Sequence, residues 1–68
     1  MSVYKVIEIV GTSPDSWEAA ASAAVAKASG SLRDLRVAEA REFDLTIGAD
    51  GSVDAYRIKL AVSFKFED

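Results

Sequence analysis

The chain has 68 residues and a formal charge of −3, from eight basic and eleven acidic side chains, with no histidine and no cysteine. Disulfides and thiolate metal sites are therefore excluded, and the commonest transition-metal ligand and general base are missing. The charges are interspersed without a basic run, which argues against a nucleic-acid surface, and no stretch approaches the roughly 18 apolar residues that span a bilayer. One domain over residues 1–68 is expected, keeping roughly 4,200 Å² exposed out of about 10,600 Å² for the open chain. So small a core is marginal without added support. With disulfides gone and half the residues hydrophobic, oligomerisation is the strong candidate for that support. Any metal would be a hard, oxygen-preferring cation.

The N-terminus, Met1-Ser2-Val3-Tyr4-Lys5, enters a strand directly and lacks the apolar region of a signal peptide, so a cytoplasmic protein is expected. Residues 3–10 (VYKVIEIV) are rich in β-branched side chains and read as the first strand. Lys5 and Glu8 are three apart and fall on opposite faces, so neither face is cleanly solvent. Cover on both faces is implied. One helix can supply one cover, and another subunit would supply the other. Gly11-Thr12 reads as the turn into that helix.

The helix runs from Ser13 to about Leu32. Ser13 suits the N-cap, Pro14 the first helical position, and Asp15 the positive end of the helix dipole. Trp17, Ala21, Ala24, Val25, Ala28 and Leu32 form an apolar stripe at spacings of three and four. Most of it is alanine, which admits a close sheet and buries little area. Gly30 marks the end of the regular helix, where a glycine can take a positive φ.

Residues 36–47 (RVAEAREFDLTI) read as the second strand, although helix could continue through Ala40 on propensity. Strict alternation puts Val37, Glu39, Arg41, Phe43, Leu45 and Ile47 on one face. Ala38 and Ala40 then share the other face with Glu42 and Asp44, and suit close packing on the helix. Gly48-Ala49-Asp50-Gly51 is a hairpin turn with an Asp-Gly pair and lacks the spaced acids of a calcium loop. Residues 53–66 (VDAYRIKLAVSFKF) form the clearest strand. Tyr56, Ile58, Leu60, Val62, Phe64 and Phe66 make its core face, and Arg57, Lys59 and Lys65 its cationic face. Pairing of Glu39 with Arg57 or Lys59 is expected across the hairpin. The fold class is α+β, in the order β-α-β-β, with a three-stranded antiparallel sheet wrapped around one helix.

No catalytic constellation stands out. Ser13 and Ser16 are explained by capping. The acid pairs Glu39/Glu42, Glu42/Asp44 and Glu67/Asp68 read as solvated or salt-bridged groups. Trp17 reads as a packing anchor.

Three stretches carry a resemblance: Val3-Tyr4-Lys5-Val6-Ile7-Glu8-Ile9-Val10-Gly11-Thr12-Ser13, the alanine-rich helix, and Lys59-Leu60-Ala61-Val62-Ser63-Phe64-Lys65-Phe66-Glu67. Together they resemble the dodecins, small β-α-β-β proteins that assemble as hollow dodecamers. The opening and Tyr56-Arg57-Ile58-Lys59-Leu60 are particularly similar to the mycobacterial branch called calcium dodecin. The resemblance implies a homododecamer whose partners are its own copies and a small ion or molecule, with no nucleic acid and no membrane. Typical dodecins stack flavin between tryptophans and hold the ring edge with a glutamine. Those positions fall at Val37 and Arg57 here, so the flavin site is degenerate. Stacking worth about 1–3 kcal/mol per ring in nucleic-acid systems would be lost on both sides.

Two ligand readings follow. In the first, a hollow dodecamer binds or stores calcium, with Glu8, Glu42 and Asp44 as candidate ligands, each of which a surface salt bridge would also explain. Symmetry axes would turn one carboxylate per chain into a ring. In the second, the protein sequesters riboflavin or FMN in an altered pocket. A ligand-free structural shell is a third reading, and an enzyme is the least supported class.

Overall fold

The computed structural model describes residues 1–67; the expectation for Asp68 lies outside them. Strand β1 (Val3–Ser13) leads into helix α1 (Trp17–Ser29), followed by strands β2 (Leu35–Ile47) and β3 (Val53–Glu67). The strands form one antiparallel sheet in the order β1-β3-β2. The uninterrupted alternation of β3 places it at the centre. Its even-numbered side chains face the helix, where Ile58, Leu60 and Val62 are buried against Ala20 and Ala24.

The junction of β1 and α1 differs from expectation. Gly11 and Thr12 continue the strand, and Ser13 ends it. The N-cap is Ser16, with extended backbone (φ −169°, ψ 165°) and a side-chain oxygen that accepts the Ala19 N–H at 2.9 Å. Ser13, although buried, instead accepts the Asp15 N–H at 3.0 Å, which closes the turn before the helix. Pro14 and Asp15 thus lie in that turn and not in the first helical turn. The strand runs on because α1 crosses directly above Gly11. A Cβ there would collide with the Ala20 carbonyl oxygen and reach 2.9 Å from the Ala24 Cβ. Ala20, outside the expected stripe, is the most buried helical residue at 0% exposure.

The helix stops at Ser29, before Leu32. Gly30 caps it with an ordinary right-handed φ of −74°. The left-handed residue comes four positions later, at Asp34 (φ 57°), whose carbonyl accepts the Lys65 N–H. At the hairpin, Gly51 takes φ +86° and Asp50 accepts from both the backbone and hydroxyl of Ser52.

Strand β2 also departs from strict alternation. Ala40 pairs with Leu60 and Glu42 with Lys59, so Arg41 is left without a partner as a bulge. Beyond it every side chain changes face. Phe43 and Leu45 come to the helix side, while Glu42 and Asp44 join the face of Lys59 and Arg57. Ala38 and Ala40 face the helix side but do not close on it. Both are exposed, and an open trough of about 520 Å³ separates them from α1.

Exposed surface totals 4818 Å², against roughly 4,200 Å² for a compact chain of this mass. The radius of gyration is 14.0 Å, against about 11 Å expected, and the chain measures 52 × 20 × 14 Å. A helix of 13 residues spans only about 20 Å of that length.

Candidate functional site

The sheet face turned away from the helix holds every candidate site residue. Reading from β1 through β3 to β2, its rows are Val6–Ser63–Val37, Glu8–Ala61–Glu39, Val10–Lys59–Glu42 and Thr12–Arg57–Asp44. The bulge at Arg41 brings Glu42 and Asp44 into these rows. Alternation would have set acids opposite the cations from Glu39 instead.

Arg57 grips Asp44 with two bonds, Nε to Oδ1 at 2.7 Å and Nη2 to Oδ2 at 3.1 Å. The guanidinium's hydrogen bonds, with its charge and that of Lys59, hold the Asp44 carboxyl below its usual value. The same pair holds the guanidinium more firmly protonated. Lys59 Nζ lies 3.4 Å from Glu42 Oε1. Glu39 does not reach Arg57 or Lys59; its Oε1 lies 3.2 Å from Arg41 Nη1 on its own strand. Both Asp44 and Arg57 are about half exposed, so water screens the pair and its effect is chiefly orientation.

On the opposite side, Trp17 roofs the same row. Its ring meets Phe43 at 5.8 Å and Tyr56 at 5.2 Å between centroids, both edge-on, and Nε1–H donates to the Asp44 carbonyl at 3.1 Å. Trp17 is thus a packing anchor that also pins the backbone of a candidate ligand. The only sequence signal for this triangle was its aromatic content, because Phe43 reaches the helix side through the bulge.

Calcium takes six to eight oxygen ligands. Among the described residues, no three acids of one chain come together in a way that could hold a metal ion. Glu42 and Asp44 are each engaged by a cation, whereas Glu8 is exposed and faces Glu39 across Ala61. Of the three candidate carboxylates, Glu8 alone makes no ion pair among the described residues.

Flavin fits one chain no better. Val37 on β2 lies opposite Ser63 of β3, and Ser63 is six residues along β3 from Arg57, about 20 Å at the standard strand rise. Val37 is exposed and offers no aromatic face, and Arg57 is already committed to Asp44. A ring touched by both positions would have to lie between chains.

Among the described residues, no helix is long and apolar enough to cross a membrane. The family model for Dodecin matches residues 3–67. Calcium dodecin of Mycobacterium tuberculosis is 57% identical over 65 residues, covering 96% of this chain and 90% of that protein. Its crystal structure, of a calcium-chelating antigen with a novel calcium-binding site, superposes with a TM-score of 0.87 at 55% identity, covering 97% and 93% of the two chains. A dodecin of Thermus thermophilus is 46% identical over 66 residues, covering 97% and 94%. Dodecin from Streptomyces coelicolor superposes with a TM-score of 0.93 at 37% identity, covering 98% and 94%. This chain belongs to the dodecin family.

Proposed function

We propose that this chain assembles with its own copies into a hollow dodecamer that binds and stores a small ligand, and that the ligand is calcium. The observation that carries the assembly is the apolar surface one helix leaves bare. Val6, Val10 and Val37 are 53–61% exposed on one sheet face, and Phe43 and Leu45 are exposed on the other. A chain of this size does not keep such surface in water when a copy can cover it. The calcium reading is supported by the 57% identity to calcium dodecin and by Glu8. Repeated around a symmetry axis, Glu8 becomes a ring of carboxylates. The role is binding, with no turnover, in the cytoplasm.

Calorimetric titration of chelator-treated protein with Ca²⁺ tests the ligand. Binding heat and a raised melting temperature are expected, both reduced in Glu8→Gln. No heat and no thermal shift at millimolar calcium would remove calcium from the account. The altered flavin pocket is the alternative ligand reading, made of Val37 and Arg57 from different chains. It requires quenching when riboflavin or FMN is mixed with the protein, and unchanged emission sets it aside.

A further inference from the structure

The turn between β2 and β3 carries Asp50-Gly51, and no other aspartate of the chain is followed by glycine. In an unconstrained chain such a pair is chemically labile, because glycine has no Cβ to keep its nitrogen away from the preceding side chain. The Gly51 nitrogen attacks the Asp50 Cγ. An N–Cγ bond forms, the carboxyl hydroxyl leaves with the amide proton as water, and a succinimide results. Water then adds back at either carbonyl. Opening at the main-chain carbonyl leaves Asp50 joined to Gly51 through its side chain, as isoaspartate. One water leaves and one returns, so no oxidant or reductant is needed. We propose that the folded hairpin silences this reaction through Ser52, so that isoaspartate forms at Asp50 only in chains that have lost the turn.

Both reacting groups are already engaged. The Gly51 N–H donates to the Gly48 carbonyl at 2.9 Å, and the Gly48 N–H donates to the Ser52 carbonyl at 2.8 Å. These bonds fix the turn with Gly51 at φ +86°. The Gly51 nitrogen must break its bond before it can lose its proton. On the other side, Asp50 Oδ1 accepts the Ser52 hydroxyl at 2.7 Å and the Ser52 N–H at 3.0 Å. The carboxyl is thereby tied to the residue beyond its attacker. The same two bonds, the hydroxyl's above all, hold the carboxyl below its usual value. Cyclisation expels water from the protonated acid, and that form is kept scarce.

Asp50, Gly51 and Ser52 are all exposed in the chain, so water reaches the pair and the protection rests on these bonds. Isoaspartate also adds a methylene to the main chain between Gly48 and Ser52. A modified chain would lose the match between the Gly48 N–H and the Ser52 carbonyl, and the lesion would mark chains that had been unfolded.

The test ages the full chain at neutral pH, folded in buffer and unfolded in urea, and locates isoaspartate by peptide mapping with an endoproteinase that cleaves only at normal aspartate. Accumulation at Asp50 is expected in urea and not in the folded protein. Equal rates in the two would overturn the proposal. Folded Ser52→Ala is expected to gain isoaspartate at Asp50 several-fold faster than wild type, with its circular dichroism and melting temperature retained. Ser52→Thr keeps the hydroxyl and should stay as silent as wild type. An alanine variant as slow as wild type, or a threonine variant as fast as alanine, would contradict the role of Ser52.

Discussion

Strands β1 and β2 flank the same central strand and have opposite fates. β1 pairs with β3 in steady register from Tyr4 to Ser13 and lies under the helix. β2 pairs with three register shifts, at Arg36, Arg41 and Asp54, and stays open on its helix side. Alanine content does not explain the difference, since Ala38 and Ala40 on β2 are small and still uncovered. A single missing side chain does. Gly11 lets the Ala20 turn of the helix down onto β1, and the short helix then reaches β2 through Trp17 at Phe43 and Asp44 while leaving Ala38 and Ala40 uncovered. Close approach is decided at the crossing point, and the strand that lacks it keeps Ala38 and Ala40 exposed beside an open trough.

Gly11→Val breaks that comparison most severely. Its branched side chain meets helix backbone, which cannot swing aside, and a cost of about 3 kcal/mol is expected. Urea denaturation at fixed protein concentration should show an unfolded or strongly destabilised chain, whereas Ala40→Val on the open strand should leave the fold intact. Equal effects of the two substitutions would end the account of coverage.

Val62→Ala comes next. Val62 is 1% exposed at the centre of the core, and its truncation should cost about 2 kcal/mol by the same measurement. Trp17→Phe keeps the ring packing and removes the bond to the Asp44 carbonyl. About 1 kcal/mol is expected, with Tyr56 still packed. A loss as large as that of Val62→Ala would mean that the indole does more than pin β2.

The smallest effect is electrostatic. The Asp44 carboxyl is depressed in the folded chain, so its contribution is full above the ordinary value of 3.8 and fades as pH falls through the lowered folded value. A melting-temperature profile from pH 7 to pH 2 should lose this part only below about pH 4, and Asp44→Asn should flatten that part of the profile. A loss centred near pH 6 would point to a different group.

What the sequence revealed follows the same division. β3 was readable because its alternation from Tyr56 to Phe66 is unbroken, and the hairpin because Asp50-Gly51 suits its turn. The bulge at Arg41 was not readable, since an unpaired residue has no composition of its own. From that one slip came the misplaced faces of Phe43, Leu45, Glu42 and Asp44, and the Glu39 pairing that does not form. The cap was ambiguous because Ser13 and Ser16 have the same chemistry. Backbone angles, absent from a sequence, assign it to Ser16. Val37 and Arg57 could be located by resemblance, but not their separation of about 20 Å on neighbouring strands, which makes any joint site a matter of assembly.

The central claim is that sister chains cover what one helix leaves bare, and sedimentation equilibrium at micromolar concentration tests it most directly. The account predicts one species of twelve times the 7.3 kDa chain mass, unchanged on dilution through that range. A folded, soluble species of one chain mass would contradict it.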